Sequence, residues 1–157
     1  MFKNVFQIAY VTNDLERAVS LFQEEQGVAE IATFDDFTLV TPDGGNAVIN
    51  VGLAYVGDVQ LEIIEPVEGA VDLYRSWLPS DGFAVRHHHF CSLLDSVDEL
   101  QQVRADYVAR GYAIALDASL GGSQIFYADT TALLDHYQEY AWVDEDSIAF
   151  MATLPRN

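Results

Sequence analysis

Three of the four histidines of the chain are consecutive, at His87, His88 and His89. The imidazole ring exchanges protons near neutral pH and is a common ligand of divalent metals. The flanking residues predict a β-strand, whose successive side chains point to opposite faces of a sheet. His87 and His89 are therefore predicted to share one face and His88 to lie on the other. The run by itself does not predict a cluster, so any partners must come from elsewhere in the chain.

Three further polar residues lie in predicted strands and are candidate partners. Taken singly, each could be an ordinary solvated residue, because antiparallel sheets often have one wet face. The candidates and their predicted strands are Gln7 in 4–12, Glu62 in 58–65 and Glu139 in 135–143.

The elements that must position these residues occur twice in the same order. Each half reads as strand, helix, strand, strand and strand, with turns rich in Gly, Pro and Asp. The first helix is predicted from an N-cap at Asp14 to about Gln26, and the second follows a capping box of the S-x-x-E type at Ser96 and Glu99. The remaining predicted strands are 29–41 and 46–56 in the first half and 112–117 and 123–129 in the second.

The two halves also agree in register. Gln7 and His89 each precede the cap of the following helix by seven residues. They therefore occupy equivalent positions of the repeat, and Glu62 and Glu139 lie in the equivalent last strands. Self-similarity of this kind indicates one supersecondary unit used twice.

This pattern predicts an α+β fold made of two tandem βαβββ modules within a single domain, 1–157. The first module is 1–66 and the second is 86–157. The linker 67–85 is predicted to contain a short helix from Glu68 to about Leu78.

Composition excludes several classes of function. The chain has 25 acidic and 7 basic residues and a net charge of −18, so its surface repels nucleic acids and anionic membranes. No apolar run approaches the roughly 20 residues of a membrane span, and the N-terminus has no signal-peptide pattern. The single cysteine, Cys91, excludes an internal disulfide and suits a reducing compartment. We expect a cytoplasmic protein that binds neither nucleic acid nor membranes.

Four motifs, together spread over nearly the whole chain, resemble the vicinal oxygen chelate superfamily of glyoxalases, bleomycin-resistance proteins and extradiol dioxygenases. The motifs are FQIAYVTNDLERAV, VQLEIIEP, HHFCSLLDSVDEL and HYQEYAWVD. The resemblance implies that the two modules form a cupped, mixed β-sheet with the helices on the outside.

The resemblance also implies one divalent metal ion, with Zn, Ni, Co, Mn and Fe as candidates. The implied ligands are Gln7, Glu62, His89 and Glu139, from the first and last strands of each module. One imidazole, one amide oxygen and two carboxylates suit a borderline to hard ion. The set looks like that of eukaryotic-type lactoylglutathione lyase. Methylmalonyl-CoA epimerases are similar in the linker and the paired histidines but usually have histidine where Gln7 stands.

The implied chemistry is proton transfer next to a carbonyl, with the metal as Lewis acid on the carbonyl or enediolate. By family analogy Glu139 is the candidate base and Glu62 its counterpart. Such a lyase or isomerase takes a small carbonyl-containing substrate. Glutathione and coenzyme A substrates need cationic anchors, which are scarce here, and this leaves room for a smaller or less charged substrate. A homodimer is expected, because members of the family often pair.

Two other functions remain open. A metal-free protein that sequesters a small molecule is disfavoured by four metal-compatible residues in register. The metal site of an Fe(II) ring-cleaving dioxygenase generally consists of two His and one carboxylate, and Gln7 counts against this function.

The neighbours of His89 have more ordinary interpretations. His88 is predicted to face the helix layer and to be hydrogen-bonded. His87 either supports the site or is an ordinary strand residue, and His136 is expected at the rim. Cys91 is predicted to pack rather than to act as a nucleophile, since a reactive thiol needs an electropositive setting.

Overall fold

The computed structural model describes residues 4–157, and its strands form one sheet that closes into a barrel. The strands are β1 (Val5–Thr12), β2 (Ala32–Val40), β3 (Asn46–Val56), β4 (Val59–Gly69), β5 (Val85–Leu93), β6 (Ile114–Leu120), β7 (Ser123–Ala128) and β8 (Tyr137–Trp142). Around the barrel they follow the order β1, β4, β3, β2, β6, β7, β8 and β5.

Helices lie between these strands and after the last of them. They are α1 (Leu15–Gln26), α2 (Asp72–Arg75), α3 (Val97–Ala109), α4 (Thr131–Leu134) and α5 (Glu145–Met151). In each half the first strand pairs in parallel with the last, β1 with β4 and β5 with β8. The predicted α+β fold of two βαβββ modules is confirmed.

The modules meet at two seams. At one seam β1 and β5 pair in antiparallel fashion along most of their length. At the other, β2 meets β6 through the pair Val40 and Ser119. This second contact brings the two edges of the curved sheet together, so that the predicted cup is closed.

The two long helices begin as their sequences predict. The side chain of Asp14 accepts a hydrogen bond from the Arg17 backbone N–H at 3.0 Å, and Ser96 accepts one from Glu99 at 3.1 Å. The return bond of the second cap differs, because the Glu99 carboxylate accepts from the Asp95 N–H, one residue before the cap. Local hydrogen bonds of this kind satisfy donors that the first helical turn leaves free.

Apolar side chains form one cluster inside the barrel and two outside it. The helix α1 covers β3 and β4 with Leu15, Ala18 and Phe22. The helix α3 covers β7 and β8 with Leu100 and Tyr107. These outer layers fix the strands, and the strands in turn position the side chains that point inward.

The linker differs from its prediction. The strand β4 continues past Pro66 to Gly69, and the helix that follows is a single turn, Asp72–Arg75. Pro66 is tolerated because it pairs with Ile49 at a register shift, where a missing backbone N–H is acceptable.

Short helices close the two ends of the barrel. The helix α2 follows the end of β4, whereas α5, which the sequence did not predict, follows the end of β8 at the opposite end. The proposed domain and module boundaries stay a prediction, and residues 1–3 of the first module lie outside the described residues. Within residues 4–157 no helix is long and apolar enough to cross a bilayer.

Candidate active site

Four adjacent strands carry the candidate site residues on the inner face of the barrel. Ala9 of β1 pairs with Glu62 of β4 on one side and with His89 of β5 on the other. Cys91 of β5 pairs with Glu139 of β8. Residues that are neighbours in this register point to the same face of the sheet, so β4, β1, β5 and β8 bring the distant residues together.

His89 lies between the two carboxylates. Its Nε2 atom is 2.8 Å from Oε2 of Glu139 and 3.5 Å from Oε2 of Glu62. The His89 side chain is 0% exposed, that of Glu139 is 8% exposed and that of Glu62 is 16% exposed. The structure therefore places one imidazole and two acids in a compact, nearly dry group.

The electrostatics of this group favour positive charge at the imidazole. Burial alone would lower the pKa of His89, but Glu139 and Glu62 outweigh it and raise the pKa to about 9. Burial raises the pKa of Glu62 above its usual range, against the opposing effect of His89. A cation at the imidazole nitrogen offsets the cost of burying two carboxylates, and a divalent metal would meet the same demand.

The second ring nitrogen of His89 is held by His88. The two Nδ1 atoms share a hydrogen bond at 2.9 Å, and Nε2 of His88 lies 3.3 Å from the carbonyl oxygen of Leu73. Burial lowers the pKa of His88 well below its usual range, so this ring is neutral. A neutral His88 that donates to Leu73 accepts from His89 Nδ1–H, which leaves Nε2 of His89 directed toward the carboxylates.

One observation of this structure supports a metal at this donor set. Nε2 of His89 is buried and makes no hydrogen bond of acceptable angle, although Glu139 Oε2 is within 2.8 Å. Metal-binding histidines usually donate their other N–H to a fixed partner, as His89 does here. Among the described residues, 4–157, no group of three or more His, Cys, Asp and Glu side chains has the geometry of a metal site.

Gln7 is the candidate fourth donor. It is buried, and its Nε2 donates to Oε1 of Gln60 at 2.7 Å. Gln60 in turn donates to the Tyr55 hydroxyl at 3.3 Å. This chain of bonds fixes the orientation of the Gln7 amide, and Gln7 lines the same cavity as Glu62 and Glu139. Its role as a metal ligand stays a prediction.

A register shift in β5 overturns the predicted alternation of the histidines. Ala9 pairs with His89 and Tyr10 pairs with His87, so His88 is the extra residue of a bulge. As a result His88 and His89 both pack against Tyr127 in the barrel interior. The prediction that His88 and His89 lie on opposite faces is wrong.

His87 lies outside the barrel. Its ring contacts Tyr10, Phe90 and His136, none of which belongs to the site. The prediction that His87 shares the face of His89 is wrong for the same reason, because one inserted residue reverses the parity of a strand.

Two tyrosines border the site, and the sequence assigned them only to a group of aromatic residues expected to build the core or line a pocket. The hydroxyl groups of Tyr74 and Tyr127 lie 3.2 Å apart, and both side chains line the cavity next to the acids. Burial raises the pKa of Tyr127 far above its usual range, and Glu139 adds to the effect. Tyr74 comes from α2, whose position at the barrel end no local pattern signals. Strand alternation could have assigned Tyr127 to the cavity, because it shares a face of β7 with the apolar residue Ile125.

Cys91 lies beside the acids but is neutral. Burial raises the pKa of its thiol well above the usual range, and Glu139 raises it further. Because the thiolate is the reactive form, this supports the interpretation of Cys91 as a packing residue.

A cavity of about 130 Å³ opens from this group toward α5. Gln7, Glu62 and Glu139 form part of its polar side. A carbonyl compound that entered the cavity would meet the carboxylates of Glu62 and Glu139, with the buried His89 imidazole directly behind them. Such a group can move protons and hold a cation.

Comparison with known proteins agrees with this architecture. A family model described as the glyoxalase/bleomycin resistance protein/dioxygenase superfamily matches residues 6–127. Among curated proteins, no match to the chain was found.

Solved structures with the same fold include several methylmalonyl-CoA epimerases. One in complex with methylmalonyl-CoA and NH4+ is 18% identical, with a TM-score of 0.60 over 92% of this chain and 97% of that chain. The Streptomyces coelicolor enzyme in complex with 2-nitronate-propionyl-CoA is 19% identical, with the same TM-score and coverage. The Mycobacterium tuberculosis enzyme is 11% identical, with a TM-score of 0.58 over 95% of each chain. At these identities the likeness concerns the fold alone.

Proposed function

Because the chain belongs to the glyoxalase/bleomycin resistance protein/dioxygenase superfamily, we propose that it is a lyase or isomerase that moves a proton at a carbon next to a carbonyl group. The observation that carries this proposal is that Glu139 and Glu62, which line a mostly apolar cavity, lie 2.8 Å and 3.5 Å from Nε2 of the buried His89. Two carboxylates in such a setting can take and return a proton.

Glu139 is the proposed base. It removes the proton from the carbon next to the carbonyl, the C–H bond breaks, and its electron pair passes into an enolate or enediolate. Its low exposure excludes competing water, which strengthens electrostatic interactions inside the cavity.

Glu62 is the proposed second acid–base group. Burial raises the pKa of its carboxyl against the opposing effect of His89, which makes the carboxylate a stronger base that can take a proton and return it to the substrate. Glu62 and Glu139 approach His89 from different strands, β4 and β8, so the two carboxylates can address different atoms or faces of one substrate.

The proposed cofactor is one divalent metal, held by Gln7, Glu62, His89 and Glu139. When bound, it would supply Lewis acidity at the substrate carbonyl oxygen. The identity of the ion, the cytoplasmic location and the homodimer stay predictions.

A metal-free binding protein is the second candidate function. The apolar cavity would suit such a role, and residues 4–157 contain no ready-made metal cage. A ring-cleaving dioxygenase is disfavoured, because His88 is hydrogen-bonded to His89 and Leu73 and the site has one imidazole aimed at the acids.

Metal content tests the ligand set. Protein purified without a histidine tag should bind one equivalent of divalent metal, measured by mass spectrometry, and Glu62→Ala and His89→Ala should lose it. Glu65→Ala is the matched control, because Glu65 lies on the same strand and accepts a hydrogen bond from Asn50 at 3.0 Å. Full metal content in both site variants would contradict the assignment.

Proton exchange separates an enzyme from a binding protein. The metal-loaded protein is incubated in heavy water with hydroxyketones and 2-oxo thioesters, and NMR follows deuterium at the carbon next to the carbonyl. Glu139→Gln should lower the exchange rate by about 10²–10⁴-fold without loss of folding. Exchange that is unchanged in this variant would exclude Glu139 as the base.

A further inference from the structure

We infer that the cavity takes a small, uncharged carbonyl compound with an apolar body, and not a carbonyl attached to a large anionic carrier. This inference rests on the proposed function and names its substrate class. It follows from the volume of the cavity, the distribution of polar groups on its wall, the positions of the arginines and the apolar side chains that α5 adds.

The volume limits the size of the ligand. The cavity measures about 130 Å³, whereas an engineered apolar cavity of ~150 Å³ holds one benzene molecule. A ligand of about six non-hydrogen atoms therefore fills the space. A larger ligand would have to displace parts of the wall or extend through the mouth.

The carboxylates and amides of the wall lie on one half of the barrel, and most of the large aliphatic side chains lie on the other. The site residues come from β4, β1, β5 and β8, which are contiguous. The opposite strands, β3, β2, β6 and β7, contribute apolar side chains to the cavity, among them Leu39, Ile49, Leu53, Leu120 and Ile125. A ligand with a polar carbonyl end and an apolar body matches both halves at once.

No arginine of the described residues lines this cavity. Arg104 pairs with Asp117 at 2.7 Å, and Arg110 lies over the Tyr107 ring at 4.4 Å. The single lysine of the sequence, Lys3, lies outside the described residues. Glu62 and Glu139 already balance the positive charge of His89 or of a bound divalent metal. No further cation among the described residues lines the cavity to offset the charge of an anionic ligand.

The net charge of the whole chain acts in the same direction. A charge of −18 produces a negative potential that repels anions and lowers their association rate. The methylmalonyl-CoA of the epimerase complex carries several phosphate charges. A ligand of that kind would need a local cationic surface to overcome this potential.

The helix α5 forms part of the cavity wall. Ser147, Phe150 and Met151 of this helix line the cavity. The Phe150 ring contacts Phe34 at 5.1 Å and Phe37 at 6.0 Å, both on β2. The helix thus reaches from the end of β8 across to the first module and adds apolar side chains to the cavity wall on that side.

Binding of matched small molecules tests the inference. The probe is 3-hydroxybutan-2-one, which is uncharged and has a proton next to its carbonyl. Lactate has the same number of non-hydrogen atoms but carries a carboxylate, and methylmalonyl-CoA represents the carrier-bound class. We expect saturation-transfer NMR to detect the hydroxyketone, with affinity for lactate lower by about tenfold or more and no binding of methylmalonyl-CoA.

A charge introduced at the mouth should reverse this preference. In Met151→Arg the new guanidinium lies at the cavity wall, so lactate should bind more tightly than the hydroxyketone. Ile148→Arg is the matched control, because Ile148 lies on the same helix, is 53% exposed and does not line the cavity. This control should keep the wild-type order of affinities.

The outcomes separate the inference from the proposed function. Binding of methylmalonyl-CoA, or of lactate as tightly as the hydroxyketone, overturns the inference, as does a failure of the hydroxyketone to bind. Deuterium exchange on a coenzyme A ester would support the proposed function while overturning the inference. Binding of the hydroxyketone without exchange would support the inference and contradict the proposed function.

Discussion

At the scale of single residues, the chemistry of the site depends on which nitrogen of His89 is free. His88 holds Nδ1 of His89 at 2.9 Å and is itself anchored to the Leu73 carbonyl at 3.3 Å. This relay directs Nε2 of His89 toward Glu62 and Glu139. A buried imidazole without such a partner could rotate or change its tautomer, and the donor set would lose its geometry.

His88→Phe should therefore weaken metal binding without removing a ligand. The phenyl ring can keep the contacts with Tyr74 and Trp77 but cannot accept from His89. We expect the Kd for the metal to rise by about 10–100-fold, measured by competition with a chelating dye. His87→Phe serves as the control, since His87 lies outside the barrel. Equal affinity in a folded His88→Phe variant would exclude this role.

At the scale of elements, parallel pairing of the first and last strand of each module creates the site. Gln7 on β1 and His89 on β5 face the last strands of their own modules, β4 and β8. Sequence periodicity predicted these strands, but the parallel contact requires the chain to return after a helix and two hairpins. The site is thus a product of module topology and of the seam between β1 and β5.

The end of β4 depends on a close backbone approach at Gly69. Its φ of +79° is unfavourable for other residues, and a Cβ atom there would lie 2.2 Å from the carbonyl oxygen of Asn46. That oxygen also accepts from the Ala70 N–H at 2.7 Å. This contact sets where the linker leaves the barrel and where α2 begins.

Gly69→Ala should destabilise the protein more than Gly27→Ala does. Gly27 also has a positive φ, +71°, but a Cβ atom there meets nothing within 4 Å. We expect a loss of about 1–2 kcal/mol in the free energy of unfolding for Gly27→Ala, from backbone strain alone. The loss for Gly69→Ala should be larger, because the Asn46 backbone must also move. Chemical denaturation measures both, and equal losses would contradict the close approach.

At the scale of the whole molecule, the C-terminal segment joins the two modules. It follows β8 of the second module, yet the Tyr55 N–H donates to the Pro155 carbonyl at 2.8 Å. The Asn157 side chain binds the Glu30 backbone at 2.8 and 3.0 Å. Leu154, which precedes both contacts in the chain, is buried in the barrel cluster. The segment fixes the end of α5 beside the cavity.

Leu154→Ala should lower the free energy of unfolding by about 2–5 kcal/mol, the usual cost of deleting a buried leucine side chain. Leu133→Ala is the matched control. Leu133 is 74% exposed whereas Leu154 is 5% exposed, so the control should change stability by no more than about 0.5 kcal/mol. Urea titration measures the difference, and similar values for the two variants would contradict the tethering role of the segment.

The sequence by itself determined the two-module architecture and the candidate residues on its strands. Helix caps at Asp14 and Ser96 and the equivalent positions of Gln7 and His89 are local features, because capping and strand alternation involve neighbours in the chain. They were sufficient to predict an α+β fold that the structure and the family match confirm.

Only the tertiary structure decided how the histidines are arranged and what surrounds the site. The bulge at His88 has no local sequence signal, because it arises from pairing with β1, a strand some eighty residues away. The positions of α2 and α5 at opposite ends of the barrel likewise depend on where β4 and β8 end. The size and polarity of the cavity follow from those positions, because packing between distant elements, and not periodicity, determines which side chains share an enclosed space.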